Sequence, residues 1–267
     1  MGLQIETIRT DDFSMDYFRF GHGMKTLVIL PGLSVDSVMK YAGAVSKAYG
    51  LLTDDFTVCL FDRRKELPET YSVYEMAEDT AAAIRALGPE PVCLFGASQG
   101  GMIAMTIAAR YPEMVSRLVL GSTSARVEQE QYQTVENWIR LAKAGDAKGL
   151  YRAFGEAIYP PEVFERLRVL LTAASTGVTV KDLQRFVILA EGIKGFDVTD
   201  QMHGIACPVL VIGSEDDGVL GADASEQIAE HLKGHTDCEL YMYHGYGHAV
   251  YDLAPDYKER LLKFLTT

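Results

Sequence analysis

The segment Gly96-Ala97-Ser98-Gln99-Gly100 has the spacing G-x-S-x-G. The apolar residues 91–95 before it predict a strand, and residues 99–110 after it predict a helix that ends before Pro112. A sharp turn from strand to helix lifts a serine hydroxyl above the sheet. The helix N-terminus also directs N–H groups and a partial positive charge toward that hydroxyl. The segment therefore predicts Ser98 as a nucleophile rather than as a serine that only caps a helix.

A serine nucleophile needs a base to take its proton. His248 follows the predicted strand 238–243 and precedes the last predicted helix. That position is a loop at the carboxyl edge of the sheet, where Ser98 is also expected. His244 lies four residues earlier and is the alternative base.

The base in turn needs a carboxylate that fixes its tautomer. Three carboxylates, Glu215, Asp216 and Asp217, crowd the turn after the predicted strand 208–212. Asp216 stands three residues after Gly213 and is the predicted acid. Asp217 is second, because an aspartate before Gly218 is also an ordinary turn residue.

The oxyanion of an acyl-transfer intermediate needs two N–H donors. The residue after the nucleophile, Gln99, provides one, and the loop after the predicted strand 26–30 provides the other. The backbone N–H of Leu33 is the best candidate there, because Gly32 permits the conformation that directs it toward Ser98. Loss of one such donor costs about 2.7–4 kcal/mol of barrier.

Alternating strand and helix patterns predict an α/β fold with a mostly parallel sheet flanked by helices. This pattern stops near residue 122 and resumes near residue 200. The four predicted helices between these points form an inserted helical cap over residues 123–199, with a core of residues 1–122 and 200–267. The cap would shield the nucleophile from water.

A substrate pocket between cap and core is the natural place for apolar side chains. Its predicted lining comprises Met102, Trp138, Phe154, Tyr159 and Phe186. Aromatic residues at helical spacing also pack the helices of a cap against one another. Each of these aromatic residues could therefore be part of the cap interior instead of the pocket wall.

The composition restricts the partners of the chain. Its 25 Lys and Arg against 37 Asp and Glu give a net charge of −12, which disfavours nucleic acid and anionic membranes. Four widely spaced cysteines predict reduced thiols in the cytoplasm, and the first residues lack a secretory pattern. Nucleotide and metal motifs are missing, so neither a cofactor nor a metal is expected. The oligomeric state stays open.

These motifs together resemble the α/β-hydrolase superfamily, in its esterase-like and cofactor-free haloperoxidase-like members with a helical cap. The turn at Ser98 continues into Met102-Ile103-Ala104, as it does in those members of the family. The segment Asp62-Arg63-Arg64 is similar to the family's D-x-R motif. The chain order Ser98, Asp216, His248 is that of the family's triad. Pro31-Gly32 stands where the family usually has His-Gly, so the backbone donor is kept while the bracing side chain is lost.

The resemblance implies hydrolysis of a small carboxylic ester through an acyl-enzyme. C–C bond hydrolysis or a non-hydrolytic lyase reaction is the alternative, because the same triad supports both. A protein that only binds a small ligand is a third possibility, although a pure binder has no need for all three triad residues.

Overall fold

Residues 3–88 and 91–267 are described by a computed structural model of the chain. Within them, eight strands form one sheet: β1 (Ile5–Arg9), β2 (Ser14–Phe20), β3 (Lys25–Leu30), β4 (Phe56–Arg64), β5 (Val92–Ala97), β6 (Val115–Gly121), β7 (Val209–Ser214) and β8 (Cys238–Tyr243). The strand order is β1-β2-β4-β3-β5-β6-β7-β8. Strands β1 and β2 pair antiparallel, β2 pairs antiparallel with β4, and the pairs from β4 through β8 are parallel.

Helices cover both faces of this sheet and follow the predicted alternation. They are α1 (Ala42–Ala48), α2 (Val73–Leu87), α3 (Gln99–Arg110), α4 (Gln129–Lys143), α5 (Ala147–Ile158), α6 (Pro161–Ser175), α7 (Val180–Glu191), α8 (Ala224–Leu232), α9 (Val250–Leu253) and α10 (Tyr257–Thr266). Apolar clusters fill the space on each side of the sheet. The predicted fold class is therefore confirmed.

Helices α4–α7 lie between β6 and β7 in the chain, where the insertion was predicted. Each is amphipathic, and the group packs through the α4–α7, α4–α5 and α5–α6 pairs. Whether this block is a separate domain with boundaries at 123 and 199 stays a prediction. Residues 1, 2, 89 and 90 of the predicted core lie outside the described residues.

An additional short helix precedes the last predicted helix, which was expected over residues 255–265. Helix α9 ends at Leu253, and α10 begins at Tyr257 after the chain passes through Ala254 and Pro255. The short α9 directly follows the loop that carries His248. Its side chains are thereby placed next to the site.

Two further features concern the surroundings of the fold. None of the helices in the described ranges is long and apolar enough to cross a membrane. The four cysteines are free; Cys59, Cys93 and Cys207 are buried and Cys238 is partly so.

Candidate active site

The residues that were predicted to act in catalysis lie together at one edge of the sheet. Strands β3, β5, β7 and β8 run parallel, and the segments that follow their carboxyl ends carry Leu33, Ser98, Asp217 and His248 respectively. Because parallel strands bring their carboxyl ends to the same edge, residues far apart in sequence become neighbours there.

Ser98 lies in a strained turn between β5 and α3. Its backbone has φ 52° and ψ −123°, a left-handed conformation that a non-glycine residue rarely adopts. Two hydrogen bonds hold the turn. The Ser98 N–H donates to the Gly121 carbonyl at 2.9 Å, and the Thr123 hydroxyl donates to the Ser98 carbonyl at 2.7 Å. A Cβ at Gly100 would lie 2.0 Å from the Leu30 carbonyl oxygen, so only glycine lets the turn approach β3 this closely.

His248 lies within hydrogen-bond distance of the nucleophile. Its Nε2 is 3.0 Å from Ser98 Oγ, and the ring is 2% exposed. The imidazole therefore stands where a general base must be to take the serine proton. The alternative, His244, has a side chain 82% exposed beside Glu215 and takes no part in the site.

The carboxylate that holds His248 is Asp217, which corrects the prediction of Asp216. Asp217 Oδ2 lies 2.8 Å from His248 Nδ1, and Oδ1 lies 3.0 Å from the same nitrogen. The chain turns back between Ser214 and Asp217, whose N–H donates to the Ser214 carbonyl. This turn directs Asp217 into the protein and leaves Asp216 beside the loop before His248.

Asp217 is held as a carboxylate by its surroundings. Burial raises its pKa, but the nearby His248 ring and the N–H groups of Val219 and Leu220 outweigh that effect, so the pKa lies below its usual value. Those N–H groups donate to Oδ1 at 2.8 and 3.0 Å. An ionised, immobilised Asp217 can fix the tautomer of His248 and stabilise the imidazolium that forms during acyl transfer.

Asp216 instead ties two loops together. It accepts the Ser214 hydroxyl at 2.8 Å and the N–H groups of Gly245 and Gly247 at 2.9 and 3.0 Å. Burial raises its pKa, and these donors outweigh that effect, so the pKa is lowered overall. Asp216 therefore holds the segment that carries His248 without touching its ring.

The two predicted oxyanion donors lie beside Ser98. Leu33 lines the small cavity that contains Ser98 Oγ, and a Cβ at the preceding Gly32 would lie 3.1 Å from Ser98 Cβ. Among the described residues, no acceptor takes the N–H of Leu33 or of Gln99. Both groups are thus available to a substrate oxygen.

Arg63 was not assigned a role from sequence, although it belongs to the Asp62-Arg63-Arg64 motif. Its guanidinium donates to the Pro31 carbonyl at 2.8 Å and to Gln99 Oε1 at 3.2 Å. Gln99 Nε2 continues to the Leu189 carbonyl of α7 at 2.7 Å. Burial lowers the pKa of Arg63 to about 10, a value at which it stays charged. Arg63 thereby braces the loop after β3, which was predicted to supply an oxyanion donor and has Pro31 in place of the histidine usual in the resembled family.

The predicted pocket residues divide into three groups. Met102, Trp138 and Phe154 line a cavity of about 50 Å³ with Ser98 and His248. Phe154 and Tyr159 line a neighbouring cavity of about 450 Å³. Phe186 lines neither, which corrects that prediction: it is completely buried and packs edge-on against Phe154.

Histidine, cysteine, aspartate and glutamate side chains can also bind metal ions. Across 3–88 and 91–267, no three His, Cys, Asp or Glu side chains come together in a way that could hold a metal ion. The ionisable groups around Ser98 instead pair with one another and with backbone N–H groups.

Comparison with known proteins gives a consistent result. The RutD protein of Agrobacterium fabrum, a proposed carbamate hydrolase, is 28% identical over 238 residues, covering 82% of this chain and 88% of that protein. The α/β hydrolase MGS-M2 from a Medee basin deep-sea metagenome has a TM-score of 0.87 at 22% identity, over 98% of each chain. The enol-lactonase of Burkholderia xenovorans LB400 has a TM-score of 0.82 at 20% identity, over 98% of this chain and 100% of that one.

A family model described as the alpha/beta hydrolase fold matches residues 25–255. That range covers β3 through α9 and contains Ser98, Asp217 and His248. With the parallel sheet, the strained serine turn and the histidine after β8, this match identifies the chain as a member of the α/β-hydrolase family.

Proposed function

We propose that the protein is a serine hydrolase that cleaves a small carboxylic ester through an acyl-enzyme. The observation that carries this proposal is the position of His248, whose two nitrogens lie 3.0 Å from Ser98 Oγ and 2.8 Å from Asp217 Oδ2. A nucleophile, a base and a group that orients the base are thereby aligned.

The reaction follows from that alignment. Ser98 Oγ attacks the ester carbonyl carbon while His248 Nε2 takes the hydroxyl proton, and the Leu33 and Gln99 N–H groups bind the oxyanion. The intermediate collapses, and the departing alkoxide receives the proton from His248. A water molecule then gives a proton to His248 and attacks the acyl-enzyme, and His248 returns that proton to Ser98 Oγ as the carboxylic acid leaves.

A carbamate is the second candidate substrate, because the RutD relatives are proposed carbamate hydrolases. A carbamate offers the same carbonyl carbon and a leaving group that also needs a proton. The ratio of kcat/KM for an ester and a carbamate of the same phenol separates the two candidates.

An activated ester tests the proposal directly. Mixing the enzyme with excess 4-nitrophenyl acetate should release one equivalent of 4-nitrophenolate per chain in a burst, followed by steady turnover. Intact-mass measurement during the burst should show one acetyl group on Ser98. A protein that only binds small ligands would give neither signal, and a C–C bond hydrolase would process a 1,3-diketone, whose cleavage releases an enolate, with a higher kcat/KM than any ester.

Enlarging the small cavity should change acyl preference. Trp138 is 3% exposed and lies against Phe154, with ring centroids 4.5 Å apart, at the wall beside Ser98. Trp138→Ala should move the best 4-nitrophenyl ester to a longer acyl chain. Because one methylene of fit is worth about 1–3 kcal/mol, kcat/KM ratios between adjacent esters should change by about 10- to 200-fold.

Phe186→Leu is the matched control for that variant. Phe186 is buried behind Phe154 and off both cavity walls, so its loss should lower the melting temperature and leave the chain-length profile as it is. A Trp138→Ala variant with an unchanged profile would show that Trp138 only packs the helical insertion.

A further inference from the structure

The larger cavity adjoins the one that contains Ser98. Its volume is about 450 Å³, within the range of small-molecule sites. It lies between the loop after β3, helices α1, α5 and α6, and the short α9. Gly32, Phe154, Ile158 and Tyr251 line both cavities. A ligand attached to a carbonyl at Ser98 can therefore extend into the larger cavity.

The walls of this cavity are rich in aromatic rings and contain acidic but not basic side chains. Five tyrosines line it: Tyr41, Tyr49, Tyr151, Tyr159 and Tyr251. Asp36 and Asp252 are its charged lining residues, and within the described chain no lysine, arginine or histidine joins them. Apolar surface prevails over polar surface along the remaining wall.

Asp36 is already neutralised at the cavity wall. Its Oδ1 accepts from Lys40 Nζ at 2.5 Å, and its Oδ2 accepts the hydroxyls of Tyr41 and Tyr151 at 3.3 and 3.1 Å. The Lys40 side chain is half exposed and lies outside the lining. Asp36 therefore orders two tyrosines and leaves little charge for a ligand.

Asp252 has no such arrangement. It is an exposed residue that borders the cavity, and it forms no hydrogen bond or ion pair with the described residues. Burial, and after it the charge of Asp252, raises the pKa of Tyr159, another lining residue, to about 12. The Lys258 ammonium donates to the Tyr251 carbonyl rather than to Asp252.

The surroundings of Asp252 disfavour its charge. Although the residue is exposed to solvent, the protein atoms packed around it raise its pKa, and the nearby Lys258 opposes that shift without cancelling it. A cation bound in the largely apolar cavity would have Asp252 as a nearby opposite charge that no basic lining residue already occupies. A cation beside Asp252 would also meet the faces of aromatic rings, which attract positive charge.

We propose that the alcohol part of the substrate carries a positively charged nitrogen on an apolar frame, bound in the larger cavity beside Asp252. This inference rests on the proposed ester hydrolysis. The acyl part is short, because the cavity beside Ser98 holds only about 50 Å³. The alcohol part occupies the larger cavity, which meets the smaller one at Tyr251, whose ring centroid lies 6.3 Å from that of His248, so the alcohol oxygen leaves near the imidazole that protonates it.

Two esters of equal shape, one cationic and one neutral, test whether the enzyme prefers a positively charged alcohol part. The probes are 2-(trimethylammonio)ethyl acetate and 3,3-dimethylbutyl acetate, in which carbon replaces the positive nitrogen. At pH 8 we expect kcat/KM to be at least about tenfold higher for the cationic ester. Asp252→Asn should reduce this ratio to about threefold or less. Asp55→Asn, which removes one charge from an exposed surface position, should keep the wild-type ratio.

Binding to a variant without a nucleophile separates this inference from the proposed function. Calorimetry with Ser98→Ala should show tighter binding of choline than of 3,3-dimethylbutan-1-ol, and adding Asp252→Asn should remove the difference. If choline binds in this way and neither ester is hydrolysed, the proposed function fails and the cation site stands. If both esters are hydrolysed with equal kcat/KM, or the ratio survives Asp252→Asn, the cation site is wrong.

The melting temperature of Asp252→Asn provides a control for a folding defect in that variant. A carboxyl whose pKa is higher in the folded than in the unfolded chain destabilises the fold once the pH exceeds both values, because ionisation is then harder in the folded state. Asp252 is such a group. The melting temperature of Asp252→Asn at pH 8 should therefore equal or exceed that of the wild type, so that a lost charge preference reports on binding.

Discussion

Replacing either Ser98 or His248 with alanine should lower kcat for ester hydrolysis by about a millionfold. The two side chains act as one unit, because His248 Nε2 lies 3.0 Å from Ser98 Oγ and neither has a use in acyl transfer without the other. The losses should therefore not add: the double variant should be about as slow as either single one. Steady-state rates with 4-nitrophenyl acetate at high enzyme concentration measure all three variants.

A fluorophosphonate probe provides the independent readout. The wild type should be labelled once, at Ser98, and neither alanine variant should be labelled at a comparable rate. His244→Ala is the matched control, since that side chain is 82% exposed and lies away from the site, and it should retain wild-type kcat. Labelling of Ser98→Ala, or a further large loss in the double variant, would contradict the assignment of this pair.

The elements that form the site were predictable because each has a strong local pattern. The buried strand before Ser98 is a continuous apolar run, and α2 (Val73–Leu87) follows Ser72, which has with Glu75 the spacing that is typical of a capping box. Parallel strands must end at one edge, so positions after β3, β5, β7 and β8 converge without any knowledge of side-chain contacts. Ser98 and His248 were found in this way.

Side-chain direction within a turn was not predictable. Asp216 and Asp217 are adjacent in sequence, and both follow β7 at the correct edge. Which of the two faces His248 depends on the backbone conformation after Ser214 and on N–H groups of Val219 and Leu220 that only the folded chain presents. The same limit applies to Phe186, whose helical spacing does not reveal that Phe154 lies between it and the cavities.

The charge of the larger cavity was likewise hidden in the sequence. Asp36 and Asp252 are separated by most of the chain, and both resemble ordinary polar residues near helix starts. Both line the same tyrosine-rich cavity, because α5 and α9 lie beside the loop after β3 in the folded chain. Arg63 was overlooked for a similar reason, because its partners Pro31 and Gln99 belong to two other loops.

The two neighbouring aspartates should respond very differently to the same substitution. Asp217→Asn replaces the acceptor of His248 Nδ1–H with an amide, which can hold the ring in the wrong tautomer, so kcat should fall by about 10⁴-fold with little change in KM. Asp216→Asn removes an acceptor for the Gly245 and Gly247 N–H groups, and it should lower the melting temperature while kcat stays within about tenfold of wild type. Thermal unfolding and initial rates on both variants, made in parallel, provide the comparison. If Asp216→Asn lost the larger share of kcat, the carboxylate that serves His248 in solution would be Asp216, and the turn after Ser214 would have to rearrange during catalysis.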